Sequence, residues 1–205
     1  MKGLPPPIIV SLLSPVFLLA GCSDSDSSLL EDLSGKTLQD FHNAIEVRNT
    51  TEITKSIGAY LRENQLPDSE IDKFRICLGE YAYTKNGSIK IPEVLGWCAN
   101  EYKNNPKRFA SHVDIERFIS LFSAWDGAFK PTEDALKKSL NDPDSYKHNE
   151  SRYVLHLTPT GENFEPYATV ETVYHAKNPF GAMMRGSVTV KVNLKTLDMK
   201  IIEAK

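Results

Sequence analysis

Apolar residues in the first half of the chain recur three or four positions apart, which is the spacing of one helix face. The first predicted helix covers Leu33–Val47. Asn49 and Glu52 have the spacing of a capping box at the start of the second helix. The last of these helices runs from about Val113 to Trp125. The pattern therefore predicts about five helices over residues 33–126.

After residue 126 the pattern changes to the alternation of apolar and polar residues that half-buried strands show. A short helix is predicted first, at Thr132–Leu140. Four strands are predicted after it: Ser151–Thr158, Tyr167–Lys177, Met184–Leu194 and Leu197–Glu203. Their one apolar face predicts an antiparallel meander that the short helix covers. The fold class is therefore α+β, with a helical region over 33–126 and a meander domain over 127–205.

The N-terminus has the features of a secretory signal. Lys2 supplies a positive charge, and a mostly apolar stretch extends from Leu4 to Ala20. This stretch contains prolines and is shorter than the roughly 20 apolar residues that a transmembrane helix requires. Residues 1–21 are therefore predicted to be a signal peptide.

The residues that close this segment are Leu19-Ala20-Gly21-Cys22, and they resemble the lipobox of bacterial lipoproteins. The resemblance implies that Cys22 becomes the first residue of the mature chain and is lipidated with fatty acids such as palmitate. Two or more acyl chains are enough for stable anchoring. Ser23 differs from the Asp that is typical of inner-membrane retention, which favours the outer membrane, facing the periplasm.

A polar segment follows the lipobox. From Ser23 to Ser28 the chain contains only Ser and Asp and offers no apolar side chain to bury. Such a composition is typical of disorder. Residues 22–32 are therefore predicted to form a flexible tether between the membrane and the folded part.

The chain has three cysteines, and lipidation would remove Cys22 from the count. Cys77 and Cys98 remain, and an oxidising compartment favours a disulfide between them. The alternatives are a metal pair or a reactive thiol, but neither cysteine has a histidine at ligand spacing. A structural disulfide is therefore predicted.

Composition argues against one class of partner. The chain has 24 Lys and Arg against 27 Asp and Glu, a net charge of −3. A nucleic-acid-binding domain is usually strongly basic. We therefore expect no nucleic acid partner, and we expect binding to the membrane through Cys22 and to another envelope protein.

The last third of the chain resembles a small α+β domain that recurs in uncharacterised bacterial and phage proteins. Two motifs carry the resemblance: the turn that contains Asp142-Pro143-Asp144-Ser145-Tyr146 and the hairpin around Ala176-Lys177-Asn178 with Phe180-Gly181. No activity is attached to that domain. The resemblance therefore supports the fold and implies nothing about chemistry.

The common motifs of envelope enzymes are absent from the sequence, including the zinc-protease helix motif and the serine-hydrolase elbow. One constellation offers an alternative. His156, Glu171 and His175 fall on the predicted polar face of the meander, where they could form an acid–base or metal cluster. Polar residues are, however, the ordinary content of a solvated sheet face.

Three aromatic residues bear on possible contact surfaces. Phe180 lies at the predicted hairpin tip, and its expected position is folded back on its own sheet. Trp97 and Trp125 fall on or near predicted helix core faces, so both are expected in the core.

The sequence thus favours a lipid-anchored envelope protein with a non-catalytic binding or structural role, without cofactor or metal. The alternative is a hydrolase or metal-dependent enzyme that uses His156, Glu171 and His175. The sequence identifies neither the partner nor the oligomeric state.

Overall fold

The computed structural model describes residues 24–158 and 165–205, which form eight α-helices and a four-stranded sheet. The predicted signal peptide, Cys22 and Ser23 lie outside the described residues. The helices are α1 Asp24–Gly35, α2 Leu38–Glu46, α3 Thr51–Glu63, α4 Ile71–Thr84, α5 Ile91–Asn104, α6 Pro106–Phe109, α7 Ile115–Ile119 and α8 Lys130–Ser139. The strands are β1 Lys147–His156, β2 Tyr167–Lys177, β3 Met183–Asn193 and β4 Met199–Ala204. None of the helices among these residues is long and apolar enough to cross a membrane.

Helix α1 corrects the prediction of a flexible tether over residues 22–32. From Asp24 onward the chain is helical, and Leu33 near the end of the helix is fully buried. Asp26 forms two hydrogen bonds with the Arg62 guanidinium of α3, at 2.7 and 2.9 Å. Ser and Asp have a weak propensity for helices, but α1 packs against α3 through the apolar residues near its end. This packing stabilises the helix despite the composition of its first turn.

The single helix predicted over Leu33–Val47 is divided in two. Helix α2 starts after Thr37, whose hydroxyl accepts a hydrogen bond from the Asp40 N–H while the Asp40 carboxylate accepts one from the Thr37 N–H. This reciprocal pair is a capping box. The capping box predicted at Asn49 and Glu52 was wrong, because α3 begins at Thr51 without a side-chain cap.

Helices α4 and α5 are joined by the predicted disulfide. Cys77 and Cys98 are fully buried and bonded to each other, with their Cα atoms 6.2 Å apart. Pro92 lies in the first turn of α5, where its missing N–H costs nothing. The prediction of a structural disulfide is confirmed.

The strands form an antiparallel sheet in the order β1-β2-β3-β4, which confirms the α+β meander. Val170, Val188, Val190 and Val192 are buried on its inner face. They belong to one hydrophobic cluster with buried residues of helices α1 to α7. Leu136 of α8 packs against the same cluster. The inner face is therefore covered by helices, and the outer face is polar.

The loop after α7 departs from the prediction. The helix ends at Ile119, and the chain turns back so that Phe122 pairs with Phe129 in an isolated bridge. Trp125 is 97% exposed, so its expected place in the core was wrong. Trp97 does pack against the core, edge-on to Tyr81 at 5.5 Å between ring centroids.

Candidate functional site

The structure does not bring His156, Glu171 and His175 together. His156 lies opposite Tyr167, which is four residues before Glu171 on β2, and His175 is four residues after it. Four residues of strand span about 13 Å. Each histidine is therefore about 13 Å from the row that contains Glu171, and the predicted acid–base or metal cluster does not form.

His156 belongs instead to a stack on the outer face of the sheet. Its ring lies parallel to Tyr167, with 4.3 Å between centroids. The Lys191 ammonium lies 3.9 Å from the Tyr167 ring, in cation–π contact. This stack is an ordered feature of the outer face of the sheet.

A cleft of about 360 Å³ separates the end of α2 from β1 and from the loop after α7. Its wall is partly apolar, and it is lined by Glu46, Val47, Arg48, Ile119, Phe122, Ser123, Ala124, Gly127, Ser151 and Tyr153. We call it the α2–β1 cleft. Its size is within the range of small-ligand and side-chain pockets.

Glu46 connects three elements at one side of this cleft. Its Oε1 accepts hydrogen bonds from the Tyr83 hydroxyl of α4 and the Tyr153 hydroxyl of β1, both at 2.6 Å. Burial raises the pKa of both tyrosines, and the bonds to Glu46 raise it further because a carboxylate favours the protonated phenol. The two hydroxyls therefore stay protonated and fix the wall of the cleft.

Arg48 holds the opposite wall. It follows α2 with a positive φ of 56°, which is uncommon for a residue with a side chain. Its guanidinium donates to the carbonyl oxygens of Ile119, at 3.3 Å, and Phe122. These bonds fix the start of the loop that carries Trp125.

The turn at residues 123–128 presents Trp125 beside the cleft. The Ser123 N–H donates to the Ala128 carbonyl at 2.8 Å, and the Gly127 N–H donates to the Ser123 carbonyl at 3.1 Å. Gly127 has a φ of 71°, which favours glycine. The Asp126 carboxylate accepts a hydrogen bond from the Ala128 N–H. Hydrogen bonds lower the pKa of this carboxyl, and the bond with Ser123 has the largest effect. The exposed indole is thus displayed on an ordered turn.

A serine, a histidine and an aspartate also meet at this cleft. The Ser151 hydroxyl lies 3.0 Å from His148 Nε2, and His148 Nδ1 lies 3.7 Å from an Asp126 oxygen. The second distance is too long for the hydrogen bond that orients a catalytic histidine. Ser151 Oγ also accepts the Phe129 N–H at 3.3 Å and contacts Thr172 Oγ1 at 3.1 Å. This hydroxyl is therefore engaged in joining the loop to the sheet.

A second polar cluster is buried between α4, α5 and α6. His112 has a side chain that is 1% exposed, and its Nδ1 and Nε2 lie 3.1 and 2.6 Å from oxygens of Glu80 and Glu101. Glu80 also accepts from the Val113 N–H and from Arg108. Burial opposes the ionised form of Glu80, but these partners outweigh it and lower its pKa to about 2. The cluster is an internal ion-pair network.

One group of side chains in the described residues has ligand atoms close enough for a metal ion: Cys77, Glu101 and His112. Cys77 is bonded to Cys98, so its sulfur is not a thiolate. Zinc sites are built from deprotonated thiolates and neutral imidazoles. With two donors left, and both in the ion-pair network, these residues do not fit a metal centre.

The hairpin between β2 and β3 carries a third candidate surface. Phe180 is 94% exposed, which corrects the expectation that it folds back on the sheet, and Met183 and Met184 are about half exposed. The Asn178 side chain accepts the N–H groups of Phe180 and Ala182, both at 3.0 Å. The backbone of the tip is therefore ordered by hydrogen bonds, and the Phe180 ring is left uncovered by the residues that the structure describes.

The two motifs of the C-terminal resemblance contact each other behind this tip. The Ser145 hydroxyl accepts the Lys177 N–H at 2.9 Å and donates to the Asp142 carbonyl at 2.7 Å. The Lys177 ammonium lies 3.3 Å from the Asp142 carboxylate. The turn therefore supports the hairpin at the end of β2, next to its tip.

The grouping of His148 with Ser151 is not predicted by the pattern of the sequence. Residues three apart point to opposite faces of a regular strand. A register shift between His148 and Glu150 places both residues on the inner face. No turn residue or periodicity marks this bulge in the sequence. The network around Glu80 was equally invisible, because its members are separated along the chain and have no motif spacing.

Comparison with protein families, with curated proteins and with solved structures found no match to this chain.

Proposed function

We propose that this chain is a lipid-anchored protein of the bacterial cell envelope with a non-catalytic binding role. The lipobox at Leu19-Ala20-Gly21-Cys22 supports the anchor, and the buried disulfide between Cys77 and Cys98 is consistent with an oxidising compartment. Outer-membrane attachment facing the periplasm is part of the proposal, since Ser23 follows the lipidated residue.

The observation that carries the binding role is Trp125 on its ordered turn beside the α2–β1 cleft. Tryptophan is among the residues most enriched at the energetic centres of protein interfaces. The ordered turn fixes the backbone that carries the indole, so a partner that covers it has only the side chain to immobilise. Val47, which lines the cleft, is also largely exposed. We propose that another envelope protein inserts a side chain into the cleft and packs against Trp125.

The separation of polar residues favours binding over catalysis. Among the described residues, the predicted trio is spread along the sheet, and Ser151 is engaged by the Phe129 N–H and Thr172. A nucleophile requires a base and an orienting third group within hydrogen-bond reach. In the described residues His148 lies within reach of Ser151 as a base, but the Asp126 carboxylate is 3.7 Å from His148 and too far to orient it.

The anchor is tested by Cys22→Ser. We expect wild-type protein to incorporate labelled palmitate and to fractionate with membranes, and the variant to lose both. Retained membrane attachment in the variant, together with an unlabelled wild type, would contradict the lipid anchor.

The binding surface is tested by a photo-crosslinking amino acid placed at position 125 and, as a matched control, at the exposed Lys55 of α3. Position 125 should form a discrete adduct with one envelope protein, and Val47→Asp should abolish it. Equal adducts from both positions, or none from either, would contradict the assigned surface.

A further inference from the structure

The β2–β3 hairpin combines apolar and basic residues in a way that the α2–β1 cleft does not. Phe180, Met183 and Met184 expose apolar surface at the tip. Directly behind the tip, the pairing of strands places Lys147, His175 and Arg185 side by side on the outer face. The hairpin therefore has an apolar end followed by a basic row.

The basic row is only partly neutralised. Lys177, the last residue of β2 and next to the tip, is paired with Asp142. Arg185 makes no ion pair with any residue of 24–158 or 165–205. It lines a shallow cleft of about 230 Å³ together with Lys177 and with Lys205, which is paired with Glu203. Of these three charges, that of Arg185 is available to an anionic partner.

We propose that this hairpin is a second membrane contact, which inserts Phe180 and the two methionines among anionic lipid headgroups. Surfaces that bind a bilayer interface combine apolar side chains with Lys and Arg that attract anionic lipid. The Asn178 bonds and the left-handed Gly181, with a φ of 82°, hold Phe180 outward before any contact is made.

A bilayer suits this surface better than a protein does. Stable protein interfaces bury on the order of 1,000 Å² or more, with a central apolar core. Three apolar side chains on a narrow tip supply only a small part of such an area. A lipid interface accepts isolated apolar side chains, and each one adds affinity independently.

The inference does not depend on the partner proposed for the α2–β1 cleft. The proposed partner of the hairpin is lipid and not protein, and the hairpin is separate from the loop that carries Trp125. An acyl anchor at Cys22 would strengthen the contact by raising the effective concentration of the bilayer near the hairpin. The hairpin should nevertheless contact lipid in a chain that lacks the anchor.

The test uses the protein as the cell makes it, with vesicles of phosphatidylcholine alone or mixed with phosphatidylglycerol. Phe180→Trp adds an indole at the tip, and lipids brominated on their acyl chains quench an indole that reaches them. We expect the added emission to fall on the order of two-fold in anionic vesicles only, and more weakly in high salt. Wild-type protein, with the exposed Trp125, serves as the matched control and should show no such loss.

Charge reversal by Arg185→Glu in the Phe180→Trp background should restore the emission, and circular dichroism checks that the variant folds. Emission that is unquenched in both vesicle types would overturn the membrane contact. Equal quenching in neutral and anionic vesicles would overturn the assignment to anionic lipid. Loss of emission without vesicles would indicate a second copy of the chain instead. Flotation of the wild type with vesicles of phosphatidylcholine alone, which the hairpin is not expected to bind, reports on Cys22 separately, so failure of the anchor is distinguishable from failure of the hairpin.

Discussion

At the scale of single residues, the buried carboxylate of Glu80 is stabilised by the partners that surround it. Glu80 accepts from Arg108 and from the Val113 N–H, and it lies beside His112. Its pKa is about 2 because these partners outweigh the cost of burial. A buried carboxylate of this kind contributes to folding only while it remains ionised.

This pKa predicts acid sensitivity. Since the folded pKa lies below that of the unfolded chain, the contribution of Glu80 is complete above about pH 4.5 and is lost as the pH falls towards 2. The contribution is on the order of 3 kcal/mol. Glu80→Gln should lower the free energy of unfolding at pH 7 and flatten its change between pH 4.5 and 2. Urea unfolding at several pH values measures both effects, with the exposed Glu63→Gln as control. An unchanged pH profile in Glu80→Gln would contradict the role assigned to this carboxylate.

Ser151 provides a prediction that separates structure from catalysis. Its hydroxyl accepts the Phe129 N–H and contacts His148 and Thr172. Ser151→Ala would leave these groups without a partner, and a lost buried hydrogen bond costs about 1–3 kcal/mol. We expect a lower urea midpoint for this variant and little change for Ser120→Ala, whose hydroxyl is exposed. A wild type that reacts with a serine-directed fluorophosphonate at Ser151, with stability unchanged in the variant, would indicate a nucleophile instead.

At the scale of elements, β2 was easier to predict than the helix ends, although β1 begins at Lys147 and not at the predicted Ser151. The bounds predicted for β2 are those of the structure, because Tyr167–Lys177 alternates and ends at a turn with strong signals. Helix ends depended on which polar residue caps them. Thr37 and Asp40 form the capping box, and Asn49 with Glu52 does not, although both pairs have residues able to do so.

This difference gives a matched pair of substitutions. Thr37→Ala removes the side chain that accepts the Asp40 N–H and should destabilise the protein by about 1 kcal/mol. Asn49→Ala should have little effect, because α3 has no side-chain cap. Thermal unfolding of the two variants measures the difference. Equal losses of stability would show that the cap is not the cause.

The candidate site was harder to predict than the helices and strands, because it depends on distances between residues on different elements. Alternation places His156, Glu171 and His175 on the outer face, but only the register reveals their distance along it. Trp125 is exposed because α7 ends at Ile119. The sequence does not reveal this end, because apolar residues continue at helical spacing as far as Trp125. Strand register and the early end of a helix are determined by packing between distant parts of the chain. The local pattern of apolar and polar residues therefore does not predict them.

At the scale of the whole molecule, the disulfide constrains the unfolded chain more than the folded one. Cys77 and Cys98 are 21 positions apart, and closing such a loop contributes about 3 kcal/mol in the chain-entropy account. Reduction, or the double change of both cysteines to alanine, should lower the melting temperature. Scans with and without reductant measure this. The double variant is the control for the reductant and should not respond to it.

The residues buried in the helical region and in the meander form one hydrophobic cluster. The boundary near residue 126 stays a prediction. Glu46 adds a polar connection, since it joins α2 to Tyr83 of α4 and to Tyr153 of β1.

The position of helix α1 limits where a partner of this protein can be. The helix begins at Asp24, only two residues after the proposed lipidated Cys22. Two residues of extended chain span about 7 Å. A protein attached in this way holds the start of α1 at the lipid headgroups, so its partner must come within the reach of the folded body, roughly 40 Å from the membrane surface. Lengthening the chain between Cys22 and Asp24 would therefore change which molecules it meets.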